Sequence, residues 1–309
     1  MKIDCHIHTT LSDWNRDNIE AADIAKYHNV DFLVCTDHDI VNKEASALFE
    51  ERLISSCDWV ELSVPDSWVR GFVHILCYSN QISTRVCDIL ENFRTAKFDS
   101  LLKCIETLTP LWFIIDKNAF RVYYDKNRAY INDLGMSFLS KFIFDDPHNS
   151  VLIETMLGGK VSRKKFLLEF LSPENNAAVK DILSSIRRPD MLNEISSDEK
   201  REPIVLSFAH PNNTFTQMTD YEPILKSYMD RWISAVEINA NADVRWVKKI
   251  LEFQKKYDYI LTFWSDCHFR DYEYWYMSKH APVWSTNPCL DPEIIKLNFN
   301  RFLKALGRD

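Results

Sequence analysis

Glycine is scarce in this chain, with five residues among 309. Loops that wrap backbone N–H groups around phosphate need several glycines close together, and no GxGxxG or Walker-type stretch occurs. Any phosphate bound here is therefore held by side chains or by metals. Long apolar runs are also missing. Stretches such as PLWFII at 110–115 fall far short of the roughly 20 residues that span a bilayer. No charged segment followed by an apolar one opens the sequence. The eight cysteines form no CxxC pair and no regular framework, so reduced thiols in a cytoplasmic protein without membrane attachment are expected. A basic excess is lacking too. The net charge of −8 argues against a protein that coats nucleic acid tightly, though a nuclease with a local basic surface is compatible with it.

What is present is a rhythm of strands and helices in two blocks. KIDCHIH (2–8) reads as a strand and DNIEAADIAKYHN (17–29) as a helix. VDFLVCT (30–36) is strand-like, NKEASALFEERLISS (42–56) helical, and DWVELSV (58–64) and FVHILCY (72–78) are strands. The pattern resumes at PIVLSFAHP (203–211), AVEINA (235–240) and YILTFWSDCH (259–268), with DVRWVKKILEFQKKY (243–257) as a helix between the last two. Alternation of this kind implies an α/β fold with a mainly parallel sheet, open or closed. Residues 92–202 break the rhythm and are helical in pattern. They carry 17 Lys/Arg against 16 Asp/Glu, whereas the rest of the chain has 20 against 29. The insert is the less acidic part, which fits a lid that meets an anionic substrate or a purely stabilising helical domain.

Nine histidines occur, and six of them sit at or just past the expected C-terminal ends of strands: His6, His8, His38, His74, His210 and His268. Asp13, Glu61 and Asp266 accompany them. In parallel βα architectures the strand C-termini converge on one mouth, where sites are built. Strand periodicity turns His6 and His8 to one face and Cys5 to the other, and it pairs Asp266 with His268 while turning Cys267 away. Imidazoles with carboxylates suit Zn, Mn or Fe. Nine ligands exceed what one four-coordinate ion takes, so two or three divalent transition-metal ions are implied.

The ordered set DCHIHTTLSD, CTDHD, VELS, VHILCY, FAHP and SDCH resembles the polymerase and histidinol phosphatase (PHP) family. The resemblance covers 1–91 and 203–309 but not the insert at 92–202. It implies a distorted, TIM-like (β/α)7 barrel carrying a trinuclear metal cluster that hydrolyses phosphoesters. Carried over by position, His6, His8 and Asp266 hold the first ion, and Glu61 bridges it to a second held by His74 and His210. Asp13, His38 and His268 hold the third. Glu61, Asp266 and His268 are then the catalytic candidates, around a hydroxide bridging the ions.

Softer candidates surround this set. Asn239, Asn241 and Arg270 follow barrel strands and could touch substrate. Asp37, Asp39 and Asp4 could orient metal-bound imidazoles or sit in exposed turns. The expected activity is hydrolysis of nucleotides or of single-stranded nucleic-acid ends. A phosphomonoesterase acting on a small metabolite such as histidinol phosphate is the alternative, and a non-catalytic, metal-stabilised binding subunit is a third.

Overall fold

The computed structural model describes residues 2–12, 17–66, 71–126, 136–172, 175–184, 189–198, 203–215, 221–240, 242–265 and 287–308. The chain divides into two units, Met1–Asp88 with Arg188–Asp309, and Ile89–Arg187.

The discontinuous unit is mixed α/β. Its elements run β1 (Ile3–Ile7), α1 (Asn18–Tyr27), β2 (Phe32–Cys35), α2 (Lys43–Glu51), β3 (Asp58–Asp66) and β4 (Gly71–Ser79) before the chain leaves through α3 (Thr84–Leu108). β1 and β2 pair in parallel, whereas β3, β4, β5 (Ile204–Phe208), β6 (Ala235–Asn239) and β7 (Ile260–Trp264) form a five-stranded sheet in that order. β5, β6 and β7 are parallel, but β4 runs antiparallel to both neighbours. This departs from the mainly parallel sheet expected from the sequence. Only four residues lie between Asp66 and Gly71, and so short a connection can only fold the strand back on its predecessor.

Side chains and isolated bridges join the two sheets. Between β2 and β3, Phe32 bridges Ser55 and His38 bridges Glu61, both in parallel sense. On the other edge, Asp4 of β1 accepts hydrogen bonds from the Ser265 backbone N–H at 3.1 Å and hydroxyl at 2.6 Å, just beyond β7. Farther back on β7, the Leu261 N–H donates to Asn298 Oδ1 at 3.0 Å. Unpaired strand N–H groups in a buried place are costly, and these two side chains satisfy them.

Each helix here buries one stripe. Asp17 caps α1 in a capping box with Glu20, and Ala21, Ala22 and Ala25 turn inward. Asp243 caps α12 (Val244–Tyr257), whose Val247, Ile250 and Phe253 are buried. On α13 (Pro292–Ala305), Phe299 and Phe302 pack edge-on against Phe32 of β2, with centroids 5.0 and 6.1 Å away. Tyr78 stacks on Trp59 at 5.2 Å and meets Phe302 at 5.0 Å, which fills the space behind β3 and β4. The short α10 (Pro211–Thr214) and α11 (Tyr221–Met229) connect β5 to β6.

The second unit is helical. After α3 come α4 (Lys117–Lys126), α5 (Met136–Phe144), α6 (Pro147–Met156), α7 (Arg163–Phe166) widening into a π turn at Leu167–Leu171, and α8 (Ala177–Ser184). Its own core gathers Leu101, Leu108, Phe120, Leu139, Ile153 and Phe166. α9 (Pro189–Asp198) belongs to the α/β unit, so the return from the helical unit falls before this helix rather than at 202/203. The division at 88/89 lies inside α3, a helix whose uninterrupted pattern leaves no boundary signal in the sequence.

Candidate metal centre

β1 delivers two imidazoles to one point. His6 and His8 are fully buried, and their Nε2 atoms lie 3.1 Å apart. The other nitrogen of each ring is already committed. His6 Nδ1 is 3.2 Å from Glu237 Oε1, and His8 Nδ1 is 3.1 Å from Ser12 Oγ. The Ser12 hydroxyl donates its one hydrogen to Asp37 Oδ1 at 2.7 Å, so toward His8 it accepts. A carboxylate at Glu237 likewise accepts. Both rings therefore carry a proton on Nδ1, and both Nε2 atoms face the same place.

Glu61, the fourth residue of β3, stands opposite them. Its Oε2 is 3.3 Å from the Nε2 atoms of His6 and His8 and 3.1 Å from His38 Nδ1. Its Oε1 is 2.9 Å from His74 Nδ1 and 3.2 Å from His210 Nε2, and those two nitrogens are 3.0 Å from each other. The carboxylate thus presents one oxygen to each of two groups of imidazoles. Buried lone pairs at such spacings repel unless a cation or protons lie among them. Ligand atoms bound tetrahedrally at about 2.0–2.1 Å sit about 3.4 Å from one another, close to the separations here. The donor set therefore fits divalent ions, with His6, His8 and Glu61 as one candidate group and His38, Glu61 and His74 as another that shares the carboxylate.

Backbone geometry explains how distant segments meet here. His74 lies near the start of β4, not at a strand C-terminus as the sequence suggested. Because β4 is reversed, its beginning lies at the same edge as the ends of its neighbours, with His74 opposite Ser63 and the Ala209 N–H bonded to its carbonyl at 2.9 Å. His210 follows β5 in a left-handed conformation, φ 32 and ψ 56, which turns the chain into α10. Asp39, also left-handed at φ 52, donates its N–H to the Glu61 carbonyl at 2.8 Å and accepts the Ser63 N–H at 2.9 Å, which docks His38 beside β3.

The electrostatics follow from burial and proximity. Burial alone would raise the Glu61 carboxyl, but the imidazoles of His74, His38 and His6 outweigh it and hold the group well below the usual carboxylate range. Burial opposes charge on His6, yet Glu61 and Glu237 together raise it to about 10. Burial pushes Glu237 up to about 8, against the pull of His6. Without metal, His6 thus keeps a second proton, on the Nε2 that faces His8 and Glu61.

Asp37 and Asp4 are buried, not exposed turn residues. Asp37 accepts from the Thr9 N–H, the Thr9 and Ser12 hydroxyls and the Asn42 amide at 2.7 to 2.9 Å, and through Ser12 it fixes His8. Burial raises its carboxyl, and those donors pull the other way. Cys5 turns away from the centre into the core, where burial pushes its thiol up, unlike a ligating thiolate.

Of the candidates named from the sequence, His6, His8, His38, Glu61, His74 and His210 are brought together. Asn239 is buried at the end of β6, where its carbonyl accepts from Asn287 Nδ2 at 2.9 Å. Asp13, Asn241, Asp266, His268 and Arg270 lie outside the described residues. Sequence reasoning missed Glu237 and Ser12. Glu237 had a signal, since a carboxylate between Val236 and Ile238 in a buried strand is expensive unless it is used. Ser12 had none, because an isolated serine after a strand is ordinary.

No protein-family model matches the chain, and no curated protein does. Among solved structures it is similar to an amidohydrolase from Chromobacterium violaceum, solved with bound sulfate and no metal. The identity is 18%, the coverage 97% of both chains and the TM-score 0.62. It is also similar to a proposed metal-dependent phosphoesterase from Bifidobacterium adolescentis. There the identity is 15%, the coverage 97% of this chain and 95% of the other, and the TM-score 0.58. At these identities the likeness is one of fold.

Proposed function

We propose that this protein is a metal-dependent phosphoesterase of the PHP type, with the seven strands of its α/β unit closing into a distorted barrel around the centre. The observation that carries the reading is the two-sided carboxylate of Glu61, one oxygen toward His6 and His8 and the other toward His74 and His210. The descriptions of the two structural neighbours, both hydrolases, agree with it.

Divalent Mn, Zn or Fe bound there would acidify water near neutral pH and offset the negative charge of a phosphoester. His6, His8 and Glu61 would hold the first ion, joined by Asp266. Glu61, His74 and His210 would hold the second, and Asp13, His38 and His268 a third. The His74 and His210 side chains are 17% and 13% exposed while those of His6 and His8 are fully buried. Substrate therefore enters over His74 and His210, and His6 and His8 form the floor. Asn239, Asn241 and Arg270 are assigned to the substrate side, with Asp266 and His268 beside Glu61 in the chemistry.

The favoured substrate is a nucleotide or a single-stranded nucleic-acid end rather than long duplex, because a net charge of −8 offers no general basic surface to a duplex. A small phosphate monoester is the alternative, and a cytoplasmic setting suits either. The amidohydrolase neighbour adds amide hydrolysis as a competing reading. Purified protein assayed with added Mn, and with chelator, on phosphomonoesters, dinucleotides, end-labelled oligonucleotides and simple amides separates these. Metal-dependent release of mononucleotides from single-stranded ends is the expected result, and turnover of amides alone overturns the assignment.

A further inference from the structure

We propose that Glu237 is a positioning residue that couples the two ion positions flanking Glu61, by holding one ligand of each on its two carboxylate oxygens. The inference rests on the reading that the centre binds metal, and it assigns a role to a residue outside the ligand set.

Glu237 is the middle residue of β6 and is fully buried. Its Oε1 is 3.2 Å from His6 Nδ1, and its Oε2 accepts the His210 backbone N–H at 2.9 Å. The first contact keeps the His6 proton on Nδ1, so that Nε2 presents its lone pair toward His8 and Glu61 Oε2. The second anchors a left-handed, non-glycine residue, which L side chains adopt reluctantly. That bend is what brings His210 Nε2 to within 3.2 Å of Glu61 Oε1. One buried carboxylate on a central strand therefore sets the tautomer of a ligand on one side and the backbone course of a ligand on the other. Filling one position firms the Glu237 contact on that side and holds the carboxylate in the orientation the other side needs, and such coupling is reciprocal.

Glu237→Gln separates this role from simple packing, because it keeps size and removes one acceptor. The carboxamide oxygen can meet the His210 N–H only if the NH2 group faces His6. The His6 ring must then accept at Nδ1 and carry its proton on Nε2, where it opposes an ion. Calorimetric titration of chelated wild-type and Glu237→Gln protein with Zn, alongside thermal unfolding of both metal-free forms, tests the proposal. The expected result is two coupled binding events in wild type, with one weakened about 10- to 100-fold and the coupling lost in the variant. A purely structural role would lower the metal-free melting temperature and leave both affinities and their coupling intact, and that outcome overturns the proposal. Wild-type protein that binds fewer than two ions overturns it together with the metal-centre reading beneath it. Should the variant not fold, histidine nitrogen shifts of Zn-loaded wild type decide. A proton on His6 Nδ1 supports the proposal, and one on Nε2 overturns it.

Discussion

The Nε2 atoms of His6 and His8 face each other at 3.1 Å, and each ring has its Nδ1 already bound by Glu237 or Ser12. Two buried imidazoles turned toward one another and toward a carboxylate occupy a core that could hold valine or leucine there. The arrangement makes sense as a prepared cation site, and the expectations below follow from it.

Removing Glu61 takes away the group shared by both sets of imidazoles. Glu61→Ala is expected to bind at least one ion fewer and to lose turnover by more than about 100-fold. His148→Ala, altering an exposed residue in the helical unit, is expected to match wild type. Elemental analysis of the purified proteins and rates on the preferred phosphoester check both. A Glu61→Ala protein with full metal and full activity would falsify the bridging assignment.

Ser12→Ala cuts the link between Asp37 and His8. It leaves the His8 Nδ1–H without its acceptor and Asp37 with one donor fewer, at a cost of about 1–3 kcal/mol. Denaturant midpoints of the metal-free proteins give the first number. Metal affinity should fall about 10-fold as His8 loses its fixed tautomer, and unchanged affinity would remove Ser12 from the orienting chain.

Asp4→Ala strips the acceptor from the Ser265 N–H and hydroxyl, both in a buried place. The His6 N–H loses an acceptor as well, and an expected loss of about 2–4 kcal/mol in unfolding free energy would follow from the buried donors so affected. The next residue is Asp266, so metal content should fall as well. A variant as stable as wild type would mean that β1 and β7 are held together by other contacts.

The pH dependence has opposite signs with and without metal. In the metal-free protein His6 sits at about 10 and Glu237 at about 8, above their ordinary 6.5 and 4.5. Both groups bind more protons folded than unfolded. Their contribution is full below the unfolded values and is lost as pH rises through about 8 for Glu237 and about 10 for His6. The metal-free protein should therefore weaken as pH rises from about 4.5 to about 10, most steeply between about 6.5 and 8 where the two windows overlap. Ions must displace the His6 proton, so their affinity rises over the same range. Melting temperatures of chelated and loaded protein should move apart with rising pH, and a narrowing gap contradicts this.

Period-two patterning was enough to put His6 and His8 on one face, because a strand allows no other arrangement. The α/β character was legible for the same reason, in short apolar runs alternating with capped amphipathic segments such as Asp17–Tyr27 and Asp243–Tyr257. Strand direction was not. The reversal of β4 follows from a connection too short for a helix, and it is this that carries His74 to the mouth from the beginning of its strand. Glu237 left a signal, a carboxylate between Val236 and Ile238 in a buried strand, but its purpose emerges only when β1 and the His210 bend arrive from elsewhere in the chain. Asp37 flanks His38 in sequence yet serves His8, a partnership that depends on Ser12 folding back beneath it.

The most direct measurement is an anomalous-scattering map from crystals grown or soaked with Mn or Zn. Two peaks on either side of the Glu61 carboxylate, one bounded by His6 and His8 and the other by His74 and His210, are the expected result. A map with no peak at Glu61, from protein that still hydrolyses phosphoesters, would contradict the account.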